Sequence, residues 1–290
     1  MIEVTSQSQA RPTAPPRIEE RGRNWRDILL GVHSTLIYLF LYAPIVILVL
    51  FSFTTDSFGA RMTGFTFSWY GKLFEDQRLI SAAINTLKVA LTSTIVSTII
   101  GTLTALAMER YRFHGKGAFD ALLYLPIVIP EIVMALSLLA FFAFSFGIIE
   151  SVLGVHLSNS LTTVIIAHIA FSISFVVVVV RASLKGFDRR LEEAAQDLGA
   201  NEWQTFRRVT FPLILPGIVG GALLAFTLSL DDFIISFFTT GPGTSLLPVE
   251  VYAAVKRAVT PKINAISTLM LVLSMVLVGV SQFIQQRQRR

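Results

Sequence analysis

Three carboxylates stand inside long apolar stretches, and they are the residues best placed to do chemistry. Glu131 lies in "LPIVIPEIVMALSLL", and Asp231 and Asp232 lie in "LAFTLSLDDFIISFF". A carboxylate near the centre of a bilayer costs on the order of 2.5–3.5 kcal/mol, so it is expected to face a cavity or a partner and not lipid. Separate fixed negative charges of this kind favour binding of a cationic solute, or exchange of protons with one.

Two aromatic residues follow the aspartates and could add cation–π contact. Phe233 and Phe238 would each contribute about 0.5–2 kcal/mol, depending on desolvation. The alternative is ordinary packing, because most of the 23 phenylalanines must face lipid or neighbouring helices. Adjacent residues on a helix point about 100° apart, so one of Asp231 and Asp232 at most is expected to face a solute path.

Each carboxylate also has a structural alternative. The two aspartates could cap the outer end of a helix, and Glu131 could pair with a helix terminus after the proline break. His168 is expected to be packed and hydrogen-bonded, because no second histidine or carboxylate lies near it in sequence to suggest a metal site. The absence of cysteine excludes disulfides, thiolate metal sites and cysteine nucleophiles.

The elements that position these residues are predicted to be membrane-spanning helices. The chain has 290 residues, 53% hydrophobic and 15% charged, which is too apolar for an ordinary soluble domain. A helical span needs roughly 20 apolar residues. At a rise of about 1.5 Å per residue, Glu131 and the aspartates would lie roughly 17 and 24 Å from the inner membrane surface. Six such stretches occur, near 28–53, 82–108, 120–146, 161–181, 215–238 and 262–284.

The distribution of basic residues predicts the orientation. Most of the 24 lysines and arginines fall in the two terminal segments and in the connections near 109–119 and 182–214. The positive-inside rule places this side, with both termini, in the cytoplasm. Residues 1–26 lack the apolar core of a signal peptide and are interpreted as a disordered basic tail. The net charge of +5 is then a topology signal, and no nucleic-acid partner is expected.

The connection at 182–214 is predicted to begin with a short amphipathic helix. Asp188 can cap this helix and Gly199 suits its end. Its apolar positions recur at i, i+3, i+4 and i+7. These positions are Leu191, Ala194, Ala195 and Leu198.

A second short helix is predicted between Asn201 and Pro212. Asn201 and Gln204 resemble a capping pair, and Pro212 is expected to prevent continuation. A solvated linker is the simpler interpretation of this charged connection. However, about 30 residues is long for a simple loop, and exposed Trp203 and Phe206 on a compact helix pair suggest anchors for a partner's groove.

The same segment resembles the EAA loop of permease subunits in bacterial ABC importers. Glu193-Ala194-Ala195 is followed by Gly199 six residues after the glutamate, and then by Val209 and Phe211-Pro212. The family prefers isoleucine and leucine where this chain has Val209 and Phe211, which are also apolar. Further stretches, including "RYRFHGKGAFD", "LPIVIPEIVMALSLL" and "LAFTLSLDDFIISFFTTGPG", look most like the second permease subunit of spermidine/putrescine importers. That pattern usually has aspartate where this chain has Glu131, so the exact polyamine stays open.

The resemblance implies an all-α membrane protein with the six-helix fold of type I ABC importer permeases, spanning residues 27–290 in the bacterial inner membrane. It also implies that residues 182–214 dock into a cleft on a cytoplasmic ATPase. No G-x-x-x-x-G-K-[ST] motif occurs, so ATP would be hydrolysed by another polypeptide, and no cofactor, metal or catalytic residue is expected in this chain. The implied partners are a second, different permease subunit, two ATPase copies and an external or periplasmic substrate-binding protein.

The resemblance also suggests roles for individual residues. The substrate path would involve Glu131, Asp231, Asp232 and Phe233. ATPase coupling would involve Glu193, Ala194, Ala195, Gly199, Trp203, Phe206 and Pro212.

Two other function classes stay open beside this one. A proton-coupled secondary carrier of a cationic solute would use the intramembrane carboxylates but would leave the docking helices unexplained. An intramembrane enzyme would need a paired-histidine metal motif or a G-x-S-x-G turn, which the sequence lacks. Within the ABC class, another cationic amine or an opine is the alternative substrate.

Overall fold

The computed structural model describes residues 25–59 and 61–287. Within these ranges the regular structure is helical, apart from one isolated bridge between Thr54 and Phe65. The predicted disordered tail covers residues 1–26. Residues 1–24 lie outside the described residues, so the tail stays a prediction. The helices are α1 (Trp25–Phe51), α2 (Ser68–Glu75), α3 (Gln77–Arg110), α4 (Lys116–Val128), α5 (Glu131–Leu153), α6 (Leu161–Lys185), α7 (Arg190–Asp197), α8 (Glu202–Thr205), α9 (Phe211–Asp231), α10 (Ile234–Thr239), α11 (Leu247–Arg257) and α12 (Pro261–Arg287).

Six helical segments in the described ranges are long and apolar enough to cross a membrane, as the sequence predicts. The chain divides into two compact units, Met1–Ile47 and Leu48–Arg290. The described part of the first unit belongs to α1. The six segments are Ile28–Phe51, Gln77–Arg110, Glu131–Leu153, Leu161–Lys185, Glu202–Asp231 and Pro261–Val280.

The third and fifth spans differ from their predicted limits. The prediction of a continuous third span at 120–146 is wrong, because α4 ends at Val128 and α5 begins at Glu131. Pro130 cannot donate a backbone hydrogen bond and disfavours helical geometry in the residue before it. The predicted fifth span at 215–238 is also interrupted, since Asp232 has an extended backbone and separates α9 from α10.

The helices α3, α6 and α9 form the centre of the second unit, and small side chains let them approach closely. In lipid, helices associate through close packing, and small residues at regular spacing favour it. One cluster of buried residues, including Ala105, Val180 and Ile214, joins all three helices. Buried small residues recur every fourth position on α3 and α9. They are Ser93, Ser97, Gly101 and Ala105 on α3, and Gly217, Gly221, Ala225 and Ser229 on α9.

Replacing Gly101 with valine is expected to destabilise this three-helix centre. A Cβ atom at Gly101 would lie 2.7 Å from Cγ1 of Val176, in the interior of the packed interface. Overpacking of this kind costs about 1–3 kcal/mol. The melting temperature in detergent should fall by several degrees. Gly147→Val is the matched control, because Gly147 also lies in a membrane helix but has open space around it. Equal melting temperatures for the two variants would contradict the packing described.

The end of the second unit opposite residues 182–214 is organised by the short helix α2. Asp76 caps α3 by accepting hydrogen bonds from the backbone N–H groups of Arg78 and Leu79. It also pairs with Lys262 at the start of α12. The Lys262 ammonium holds the pKa of the Asp76 carboxyl below its usual range. These contacts tie α2, α3 and α12 together at this end.

Candidate functional site

Asp232 is buried at the break between α9 and α10, where it holds the break in place. Its side chain is 2% exposed and accepts hydrogen bonds from the backbone N–H groups of Ile235 at 3.2 Å and Ser236 at 3.0 Å. Its Oδ2 also lies 3.1 Å from Nε2 of His168 on α6. The geometry therefore gives Asp232 the capping role that the sequence left open as an alternative, although within the bundle and not at its surface.

His168 is buried and hydrogen-bonded, as predicted, and it connects three helices. Its Nδ1 lies 2.6 Å from the Ser229 hydroxyl on α9, and its Nε2 lies 3.1 Å from the Ser236 hydroxyl on α10. The Ser229 hydroxyl in turn lies 3.1 Å from that of Ser93 on α3. The sequence did not predict the pairing of His168 with Asp232, since the two are distant along the chain. The rule that polar groups inside spans pair with one another is the signal that could have found it.

Glu131 and Asp231 lie next to this buried group. Glu131 is the first residue of α5, is partly exposed, and lies near Asp232. Asp231 is the last residue of α9 and is exposed. The structure thus brings all three predicted carboxylates together at adjoining helix ends, with Asp231 open and Asp232 enclosed. Among the described residues, no three histidine, aspartate or glutamate side chains form a group that could hold a metal ion.

An aromatic group lies beside the carboxylates. The Phe233 ring packs at a centroid distance of 4.3 Å from Tyr252 on α11 and 5.4 Å from Phe237. The ammonium of Lys256 lies 4.9 Å from the centroid of the Tyr252 ring, in cation–π contact with it. Phe238 instead packs into a buried cluster of α5, α6 and α10. Tyr252 was missed because nothing in its local sequence connects α11 with the end of α9.

The predicted helix, glycine corner and second helix all occur at the other end of the bundle. Gly199 has a φ of +90°, which a glycine adopts without strain, and it ends the turn that follows α7. The Asn201 side chain accepts the Gln204 N–H at 2.8 Å, and the Gln204 side chain accepts the Asn201 N–H at 3.0 Å. Asp188 accepts the N–H of Arg190 at 3.0 Å. We refer to residues 190–210 as the coupling segment.

The prediction that Pro212 ends the second helix is wrong. A π-helical turn at Phe206–Thr210 follows α8 and leads directly into α9, so the helical run continues from Glu202 to Asp231. Pro212 is the second residue of α9 and follows the π-helical turn directly. The wider turn accommodates the proline ring, and the second short helix is therefore the end of the fifth span.

The outer face of the coupling segment is open. Glu193 and Ala194 are exposed, Ala195 is partly exposed, and Leu198 is 90% exposed. Trp203 is 66% exposed and stacks on Phe206 at a centroid distance of 5.9 Å. This combination of apolar and acidic groups on a compact surface is suited to a protein partner, while the docking roles of the individual residues stay predictions.

A comparison with protein families matches residues 97–290 to a model described as "Binding-protein-dependent transport system inner membrane component". The chain is 42% identical over 262 residues to the "Spermidine/putrescine transport system permease protein PotC" of Haemophilus influenzae, covering 90% of this chain and 98% of that protein. It is 38% identical over 248 residues to the "Putrescine transport system permease protein PotI" of Escherichia coli K12, covering 85% of each.

A comparison with solved structures confirms the predicted fold. A chain in the crystal structure of a bacterial ABC transporter involved in the import of the acidic polysaccharide alginate matches with a TM-score of 0.72. The two chains are 22% identical, and the match covers 91% of this chain and 96% of that chain. This likeness concerns the permease fold alone.

Proposed function

Because the chain belongs to the family of binding-protein-dependent transport system inner membrane components, we propose that it forms part of the path by which an ABC importer carries a polyamine across the bilayer. The observation that carries the choice of substrate is the grouping of Glu131, Asp231 and Asp232 beside the Phe233–Tyr252 pair. A polyamine is a chain of ammonium groups separated by methylenes. Spaced carboxylates can bind the ammonium groups, and aromatic faces can pack against both the ammonium and methylene groups.

Within the group, the three carboxylates have different tasks. Asp232 keeps the α9–α10 break in shape, because its oxygens already accept bonds from two N–H groups and contact His168. Asp231 is open and takes the substrate's ammonium group. Glu131, at the start of α5, supplies a second carboxylate on the facing helix.

The chain itself is a non-catalytic subunit in this proposal, and its motion is supplied by a separate ATPase. The coupling segment docks into a cleft on that ATPase through Glu193, Trp203 and the Gly199 corner. ATP binding brings two ATPase copies together, and the helices switch from inward-facing to outward-facing. An external binding protein then releases the substrate to a path shared with a second permease subunit, and hydrolysis resets the assembly. This arrangement puts the protein in the inner membrane with both termini in the cytoplasm.

The test is uptake by the whole importer, purified through a tag on this chain and reconstituted in vesicles with ATP inside. Labelled spermidine and putrescine should accumulate only with ATP and with the binding protein outside. Accumulation that follows an imposed proton gradient without ATP would establish the secondary-carrier alternative. ATP-dependent uptake of another cationic amine or an opine, with no competition by polyamines, would support the importer function but would contradict the assignment of a polyamine as substrate.

Asp231→Asn is expected to raise the KM for polyamine uptake about tenfold, which corresponds to ~1.4 kcal/mol and is typical of losing one charged hydrogen bond. Because Asp231 is exposed, the melting temperature of the variant protein should equal that of wild type. Glu75→Gln, which neutralises an exposed carboxylate on α2, is the control and should leave KM unchanged. Wild-type KM in both Asp231→Asn and Glu131→Gln would place the cation path elsewhere.

A further inference from the structure

The two adjacent glutamates of α7 lie in different surroundings. Glu193 is exposed on the outer face of the coupling segment, whereas the Glu192 side chain is 19% exposed and faces the membrane helices. One carboxylate oxygen of Glu192, Oε1, accepts hydrogen bonds from Nη2 of Arg110 and from the hydroxyl of Thr210. The sequence pattern singled out Glu193 and gave no sign of this second role.

The partners of Glu192 are the ends of two central helices. Arg110 is the last residue of α3, and its Nη2 also lies 3.4 Å from the Thr210 hydroxyl. Thr210 is fully buried at the end of the π-helical turn, immediately before α9. The three side chains thus close a triangle between α7, α3 and α9, which we call the latch. A neighbouring bond from Arg189 to the Glu109 carbonyl, at 3.2 Å, joins the same two regions.

Polar contacts and not apolar burial connect α7 with α3. None of the eight residues of α7 is fully buried, so apolar packing holds this helix only weakly. A partly exposed ion pair is worth only about 0–1 kcal/mol of stability, because solvent screens it. The latch therefore contributes little to folding. Its consequence is geometric, since it sets where α7 lies relative to two helices of the three-helix centre.

We propose that Glu192 is a positioning residue for energy coupling, because the latch links a displacement of α7 to the end of α3 and to the start of α9. The proposal rests on the importer function proposed above. Without the latch, an ATPase could still grip the outer face of the coupling segment and move it, but α3 would no longer be joined to α7 by Arg110. ATP would then be hydrolysed with less transport.

The experiment compares uptake with ATP hydrolysis in vesicles containing the complete importer. Glu192→Gln removes the charge, and Thr210→Val removes the hydroxyl at nearly constant volume. Both variants should assemble with the ATPase and hydrolyse ATP, while the amount of substrate imported per ATP falls about fivefold or more. The double variant Glu192→Arg with Arg110→Glu reverses the ion pair and should recover a large part of the lost ratio.

Asp120→Asn is the matched control for loss of an ion pair. It breaks the contact of Asp120 on α4 with Arg181 on α6, which lies at the same end of the bundle and does not include α7. Its transport per ATP should equal that of wild type. An equal fall in this control, a wild-type ratio in both Glu192→Gln and Thr210→Val, or failure of both to assemble would overturn the positioning role. These outcomes differ from failure of the proposed function, in which wild-type vesicles show no ATP-dependent uptake at all.

Discussion

Gly199→Val is expected to abolish ATP-dependent uptake while the protein still folds and inserts. Gly199 has a φ of +90°, a left-handed conformation that costs a β-branched residue about 1–2 kcal/mol or more. A Cβ atom at this position would meet nothing within 4 Å, so the effect is confined to the backbone of the corner. The corner between α7 and α8 would reorient, and Glu193 and Trp203 could no longer fit one partner surface together. Uptake should fall more than about 100-fold because docking needs both groups in place.

Two controls separate this corner effect from general backbone strain. Gly199→Asn should keep most of the uptake, because asparagine tolerates the left-handed conformation. Gly154→Val places the same strain at a glycine with a φ of +66°, in open space after α5 and away from the coupling segment, and should transport normally. The measurements are uptake and retention of the ATPase during purification. Normal uptake in Gly199→Val would remove the corner from the coupling mechanism.

Asp232→Leu is expected to destabilise the protein and to stop uptake. Leucine would leave the N–H groups of Ile235 and Ser236 without their acceptor and would remove one of the partners of His168. Each buried group left unsatisfied costs about 1–3 kcal/mol. The α9–α10 break should then lose its fixed shape. A large fall in melting temperature, with loss of uptake, is the measurement.

Two related substitutions test whether the loss of stability comes from the hydrogen bonds of Asp232. Asp232→Asn keeps one acceptor oxygen and should lose much less stability than Asp232→Leu. Asp231→Asn, one residue earlier, should lose transport affinity without losing stability. If Asp232→Leu melts at the wild-type temperature, the hydrogen bonds described here do not hold the break.

The features that could be predicted from sequence have local causes. Six apolar helices follow from composition and length, and the Gly199 corner and the Asn201–Gln204 capping pair follow from side chains within a few residues of each other. The contact of His168 with Asp232 and that of Phe233 with Tyr252 depend on how separate helices pack. A single sequence carries no direct signal of such packing.

The error at Pro212 has a different origin. The rule that proline ends a helix applies to regular α-helical geometry, in which the ring meets the carbonyl four residues earlier. A π-helical turn immediately before Pro212 relaxes that conflict, and the local sequence "FRRVTFP" does not distinguish it from a helix end. The third span separates at Pro130, whereas Pro126, four residues earlier, stays inside α4, and the local sequence does not distinguish these two prolines.

In the proposed importer, the continuous helical run from Glu202 to Asp231 connects the ATPase contact with the carboxylate group. Its 30 residues form a helical run about 45 Å long, with the proposed ATPase contact at one end and Asp231 at the other. A tilt of about 5° around its middle would swing each tip by about 2 Å in opposite directions. In the proposed importer, a small displacement imposed by the ATPase at one end of this helical run would be accompanied by a sideways movement of Asp231 at the other end.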